Sequence, residues 1–427
     1  MITLAVFFIF LFMGLPILIT LLIGTLVFLH QTDLSMLTGS LPLQLYGSLE
    51  KSGLLAIPLF MMVGELMNRG GLTDRLISLA SLMVGRLNGG LAYVNLLTNA
   101  ITSSILGSAL AQIAVMSRVM IPAMEKKGFK RDFSSAVTVS GGLLGPIIPP
   151  SMIMIIYGVI AFQPVGALFM AGIIPGILII FGFAIIIFLT GLFCGFPREG
   201  QADVPKQISP SEILKDLVPL SIPMIIISGI AAGVMTPTEA GAIGALLALL
   251  IGKLIYKSIT WSEMPDVLFR VALNAAMITG LIASATMFGW ALSFQEVPDR
   301  VVELINGLTD SPLMFLLLIN LLIIVLGMFL ESMSILIVMV PILLPAALAM
   351  GIDPIHFGIV ISLATLVGLV TPPLGPGLFL VMATTDISMS ALFKAMLPFL
   401  LVMFLCMALI NALPFLSLWL PSAVGLM

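Results

Sequence analysis

Two short runs of small polar residues interrupt an otherwise apolar chain. The run NAITSSILGSA holds Asn99, Thr102, Ser103, Ser104, Gly107 and Ser108. The run GGLLGPIIPPS at 141–151 holds Pro146, Pro149 and Pro150. Each proline removes a backbone donor and clashes with the preceding turn, so a helix opens there and frees carbonyl oxygens. Hydroxyls and freed carbonyls are hard, neutral oxygens that suit a Na⁺-like cation. Half-helix N-termini at the same place offer unpaired N–H groups and positive dipole ends, which suit a carboxylate. No Lys or Arg lies in the middle of an apolar span. An anion handled there would be held by N–H groups and hydroxyls, or by a basic residue near a run's end such as Arg118.

The same roles recur later in the chain. Gly327, Glu331, Ser332 and Ser334 match the first run, and Thr371, Pro372, Pro373, Gly375 and Pro376 match the second. Three alignments carry this repeat. LTDRLI at 72–77 matches VPDRVV at 297–302, SILGSALAQIAVMSRVMIP at 104–122 matches GMFLESMSILIVMVPILLP at 327–345, and GLLGPIIPPS at 142–151 matches GLVTPPLGPG at 368–377. Their offsets are 225, 223 and 226. One serine or proline in a membrane helix ordinarily serves packing or a kink. Interruptions paired by a repeat point instead to a binding site near mid-membrane.

Other polar residues have plainer readings. Glu331 is an intramembrane acid and therefore a functional candidate. Its repeat partner is Ser108, which favours a structural or modulatory role over a core ligand. Thr236, Pro237 and Glu239 form a capping box that starts a helix. His30 and His356 read as interfacial anchors, and Cys194 and Cys406 as buried small hydrophobes. There is no P-loop, GxSxG or HExxH pattern, and the chain is expected not to be an enzyme.

The elements that position these residues follow from composition. The 427 residues are 60% hydrophobic and 9% charged, against roughly 25% charged in soluble domains. That excludes an ordinary soluble enzyme, a nucleic-acid binder and a disordered chain, and leaves an all-α polytopic membrane protein. Full-length apolar stretches lie near 3–29, 134–165, 166–195, 238–257, 270–294, 357–386 and 391–420, with shorter ones at 54–69 and 217–235. The first is read as a retained span, since no basic residue precedes Lys51. The stretches 91–120 and 313–347 carry polar residues in their middles and read as re-entrant hairpins. The result is nine crossings and two hairpins. With a cytoplasmic N-terminus and periplasmic C-terminus, all 17 basic residues except Lys51 and Arg300 fall inside. Residues 1–196 form a first repeat with hairpin 91–120 and broken helix 134–165. Residues 197–216 form a cytoplasmic linker. Residues 217–427 form a second, inverted repeat with hairpin 313–347 and broken helix 357–386.

GVMTPTEAGAIGA at 233–245, GPIIPPS at 145–151, IPLFMMVGELMNRGGLTDRL at 57–76 and GLVTPPLGPGLFL at 368–380 resemble the large membrane (M, or DctM) subunit of the TRAP transporters. TRAP stands for tripartite ATP-independent periplasmic transporter. The resemblance covers essentially the whole chain and looks most like the sialic-acid branch. It implies an ion-transporter-superfamily fold with an elevator motion, and Na⁺-driven import of an organic acid across the bacterial inner membrane. Sialic acid is the favoured substrate and a C4-dicarboxylate the alternative. A stand-alone Na⁺/organic-anion symporter without a binding protein is the other. The implied partners are a separate four-helix small membrane subunit of the Q/DctQ type and a periplasmic substrate-binding protein. It further implies at least two Na⁺ ions. One would lie between the 103–108 tip and the 145–149 break, with Ser103, Ser108, Gly145 and Pro149. The other would lie between the 327–332 tip and the 371–375 break, with Gly327, Ser332, Thr371 and Gly375. Ser103, Ser104, Ser151 and Asn99 are the implied substrate residues.

Overall fold

A computed structural model describes residues 9–10, 13–197, 209–297, 300, 302–303, 307 and 309–427; the side chains of 52, 104–106 and 210 lie outside it. The described residues form helices and no strands. The first half runs α1 (Ile17–Gln31), α2 (Leu41–Leu49), α3 (Ala56–Arg69), α4 (Leu72–Val84), α5 (Gly90–Leu106), α6 (Ala109–Lys126), α7 (Arg131–Gly142), α8 (Met152–Ala161) and α9 (Val165–Cys194). The second runs α10 (Pro210–Leu217), α11 (Ser221–Ala231), α12 (Pro237–Leu250), α13 (Met264–Ser293), α14 (Pro312–Gly327), α15 (Ser332–Ala349), α16 (Pro354–Leu369), α17 (Pro376–Thr385), α18 (Met389–Ala412) and α19 (Phe415–Ala423). Among the described residues, six segments are long and apolar enough to cross a membrane: Val165–Cys194, Ser211–Ala231, Pro237–Ile255, Trp261–Ser293, Ser332–Ala349 and Met389–Ala412.

Local chemistry sets these boundaries. Thr236 caps α12 by accepting from the Glu239 N–H, while Glu239 accepts from the Thr236 N–H at 2.8 Å. The helix α5 ends on Gly107 in the left-handed region (φ 58°), and α6 restarts with Ser108 as its cap. A Cβ on Gly107 would lie 3.2 Å from the Met152 backbone nitrogen, so the turn rests on the start of α8. The chain is non-helical at 143–151, between α7 and α8, and at 370–375, between α16 and α17.

The halves interlock with a two-fold pattern. The tip helix α6 packs on α17, and its counterpart α15 packs on α8. Arg131, at the start of α7, donates to the Thr385 carbonyl at the end of α17 (2.9 Å). Tyr157, near the end of α8, donates to the Pro354 carbonyl at the start of α16 (2.5 Å). Phe162 and Asp386 both end their half-helices in the left-handed region, at φ 54° and 52°. Beside this core, α13 packs against α1, α2 and α3, and α3 packs against α12.

Several expectations need correcting. The stretch 391–420 is not one helix. It stops at Ala412, and Pro414, which has no N–H to extend the ladder, precedes the separate α19. The described part of 3–29 is helical only at 9–10 and from Ile17 onward; Gly14 turns at φ 79° and Pro16 precedes α1. The gapless match of GLLGPIIPPS to GLVTPPLGPG fails in space, because the first break is longer than the second. His356 is no interfacial anchor: it is buried, with Nδ1 2.7 Å from the Ser417 hydroxyl. Cys194 is exposed in the last turn of α9, and Cys406 is half-buried. Most of the linker and Asp299 of the VPDRVV match lie outside the described residues.

Candidate functional site

The two tips and the two breaks converge. A cleft is lined by Ser108 and Pro146 from the first half and by Glu331, Ser332 and Leu369 from the second. Ser108 and Glu331 also line a cavity of about 450 Å³ that reaches the wall made by α3 and α13. The wall contributes Glu65, Asn68, Arg270 and Asn274. Arg69 bonds Glu65 (3.1 Å) and Asp266, and Asp266 in turn accepts from Arg270 at 3.1 Å. This chain of alternating charges pins α3 to α13 and holds one edge of the Arg270 guanidinium at the cavity. The volume falls within the roughly 300–1,000 Å³ of small-molecule sites.

Ser108 and Glu331 occupy the same position, the residue before α6 and before α15. Ser108 accepts from the Ala111 N–H at 3.5 Å, while Glu331 makes no side-chain cap. Ser332 is buried, and its hydroxyl finds no partner among the described residues. Ser334 opens onto the cavity.

The remaining expected site residues sit deeper. Asn99, Ser103 and Ser151 are fully buried and line neither the cleft nor the cavity. Ser103 donates to the Ala100 carbonyl (2.5 Å) and Ser151 to the Pro146 carbonyl (2.6 Å), so Ser151 ties down the break it ends. Thr371 donates to the Val367 carbonyl at 2.6 Å. Ser104 lies in α5 with its side chain outside the described residues. Gly145 and Pro149 are buried in the first break, and Gly375 in the second. Gly327 packs on Gly368 so tightly that a Cβ on Gly327 would lie 2.8 Å from the Gly368 Cα.

Sequence reasoning named Asn99 but missed the group it belongs to, and missed a second group altogether. The first is a buried amide ladder. Asn95 donates to Thr138 (2.8 Å), Asn99 donates to Asn95 Oδ1 (2.8 Å), and Gln112 donates to the Asn99 carbonyl (2.5 Å) and Oδ1 (3.0 Å). The second is the cavity wall of Asn68, Arg270 and Asn274. Their signal was available: Asn95/Asn99 and Arg270/Asn274 are polar pairs four apart on apolar helices, and so share a face.

Comparison with known proteins agrees with this architecture. The family model described as tripartite ATP-independent periplasmic transporter, DctM component, matches residues 4–416. The sialic acid TRAP transporter large permease protein SiaM of Vibrio cholerae is 35% identical over 96% of both chains. The C4-dicarboxylate TRAP transporter large permease protein DctM of Pseudomonas aeruginosa is 33% identical over 91% of this chain and 90% of that one. In fold, the chain is similar to Neisseria gonorrhoeae MtrF, described as illuminating a class of antimetabolite efflux pumps. That likeness has a TM-score of 0.65 at 15% identity, over 96% of this chain and 94% of that chain. The chain therefore belongs to the DctM component family of the tripartite ATP-independent periplasmic transporters, whose members are transporter permeases and not enzymes.

Proposed function

We propose that this chain is the transporting subunit of a Na⁺-coupled importer for an organic acid, working in the bacterial inner membrane. The observation that carries this reading is the meeting of Ser108 and Glu331, tips from opposite halves, at one cleft beside both breaks and at the mouth of one cavity. The pairs α5/α6 and α14/α15 act as re-entrant hairpins. With the broken pairs α7/α8 and α16/α17 they move as one body against the wall of α3 and α13, in an elevator motion. Hydroxyls and opened backbone at Ser103, Gly145 and Pro149 hold one Na⁺. Those at Ser332, Thr371 and Gly375 hold another. The N-termini of α6, α8, α15 and α17 leave unpaired N–H groups for a carboxylate. A small membrane subunit and a periplasmic binding protein complete the tripartite assembly. Sialic acid is the favoured substrate, with a C4-dicarboxylate as the second reading, because the SiaM and DctM relatives differ little in identity.

Proteoliposomes test this. Chain plus small subunit, supplied with loaded binding protein, is expected to accumulate N-acetylneuraminate only under an inward Na⁺ gradient. Accumulation without Na⁺, or by the chain alone at full rate, overturns the coupling or the tripartite reading respectively. Ser103→Leu and Thr371→Leu are each expected to lower Na⁺-dependent uptake while the protein still reaches the membrane.

A further inference from the structure

The first break faces an amide oxygen with nothing to bind. Gln112 lies in the first turn of α6 and is fully buried. Its Nε2 is committed to the Asn99 carbonyl, Asn99 Oδ1 and Thr102 Oγ1, at 2.5, 3.0 and 3.4 Å. Those are acceptors only, or can act as acceptors, so they decide which end of the amide is nitrogen. The opposite end, Oε1, has no partner among the described residues. A buried acceptor left unmatched is costly and uncommon.

The direction of that oxygen is informative. A Cβ added to Gly145 would lie 2.8 Å from Oε1, and the Ser108 carbonyl carbon lies 3.6 Å from the same point. The oxygen, the opened backbone and the last residue of the tip thus meet at one place. The C-terminal ends of α5 and α7 converge on this region, and their terminal carbonyls carry the negative end of the helix dipole. We propose that Gln112 supplies Oε1 as a ligand to the cation between the first tip and the first break, and that the Asn95–Asn99–Gln112 ladder aims it. A neutral amide oxygen suits a monovalent hard cation, because it binds without adding a charge that burial would penalise. The second half is built otherwise: the repeat equivalent of Gln112 is Ile335, which is buried and apolar. The inference rests on the Na⁺-coupled reading above and concerns the first site alone.

Thermal unfolding of the purified full chain, titrated with NaCl against KCl and choline chloride at constant ionic strength, tests it. Na⁺ is expected to raise the unfolding temperature saturably where K⁺ and choline do not. In Gln112→Leu the Na⁺ concentration for half the effect should rise at least tenfold. Gly145→Ala, which keeps the ladder and sets a methyl against Oε1, should do the same and carries the test if Gln112→Leu fails to fold. Equal Na⁺ response in the unmodified protein, Gln112→Leu and Gly145→Ala overturns the assignment and makes Oε1 a water-binding group. No Na⁺-specific stabilisation of the unmodified protein overturns the coupling itself.

Discussion

The first and second tip-and-break units share an order of elements but differ in the length of the break and in the kind of joint. In the first, α5, α6 and α7 are tied by side chains, through Asn95, Thr138, Asn99 and Gln112. In the second, α14 meets α16 backbone to backbone at Gly327 and Gly368. The outer links are the same in kind, with Arg131 on Thr385 and Tyr157 on Pro354. An amide ladder can rotate and re-pair when an ion arrives. A glycine seam has no side chain to give, so it either fits or separates. On the Na⁺-coupled reading proposed above, the first joint would suit a response to a bound ion and the second a rigid transmission of motion.

The hardest test of the contrast is at the seam. A Cβ on Gly368 would lie 2.6 Å from the Ile324 carbonyl oxygen and 2.7 Å from the Gly327 Cα. Both are backbone atoms of α14, so the helices must part. Gly368→Ala is expected to cost more than about 3 kcal/mol, beyond the usual range for overpacking, and to lower the yield of folded protein sharply. Gly141→Ala would meet the Asn99 side chain at 2.8 Å instead, and should cost less because a side chain can move. Equal losses in thermal unfolding would erase the distinction between the joints.

The next effect lies in the ladder. Asn99→Leu removes one acceptor of Gln112 and the side-chain donor to Asn95 Oδ1, while the Asn99 main-chain carbonyl and Thr102 still accept from Gln112. The Asn95 amide oxygen is left unpaired, at roughly 1–3 kcal/mol. Asn320, buried in α14, has no partner for either amide atom among the described residues. Asn320→Leu should therefore leave stability unchanged or raise it by about 1 kcal/mol, since only an unmatched polar group is lost. A loss on Asn320→Leu comparable to that on Asn99→Leu would mean the second joint also depends on side-chain amides.

Much of this was legible beforehand, for identifiable reasons. Clustered prolines beside glycines mark a helix break, so Pro146, Pro149 and Pro150 exposed the first and Pro372 and Pro373 the second, whereas the lone Pro122 and Pro175 stay inside helices. Thr236 with Glu239 exposed the start of α12. The tips were legible because Ser108 and Glu331 interrupt long apolar runs. Contacts between helices were not legible. Nothing in the local sequence says that Gly327 meets Gly368, that Gln112 turns its oxygen to Gly145, or that His356 is covered by Ser417. Those depend on how distant helices dock, and apolar sequence leaves that open because most residues on such helices are chemically alike. The cavity wall was missed for a related reason: Arg270 near a helix end reads as an ordinary cytoplasmic charge until α3 and the tips are placed beside it.

A smaller effect tests the outer links that the halves share. Tyr157 is fully buried, and Tyr157→Phe keeps its packing while removing the donor to Pro354. That should cost about 0.5–1.5 kcal/mol. Arg131 is half exposed and also pairs with Glu125, so Arg131→Ala should cost less than Tyr157→Phe, since exposed ion pairs contribute little. The reverse order would mean that the visible symmetry of these links hides an unequal load.

The smallest expected difference is at the tips, where a cap faces an acid. Ser108 bonds the Ala111 N–H at a long 3.5 Å, so Ser108→Ala should sit near the low end of cap losses, about 0.5 kcal/mol. Glu331 makes no side-chain cap on its own helix, so Glu331→Gln should leave the unfolding free energy within about 0.5 kcal/mol of the original, the usual span for a residue away from structural partners. The two variants should separate in the opposite order when a ligand is added. Glu331 lines the cavity with only neutral tip neighbours in Ser108 and Ser334, so its charge acts on whatever enters. Binding of an organic anion, read by the shift it causes in unfolding temperature, should change more in Glu331→Gln than in Ser108→Ala. If Glu331→Gln instead destabilises the empty protein more than Ser108→Ala does, the acid is a structural cap like its counterpart, and the tips are equivalent after all.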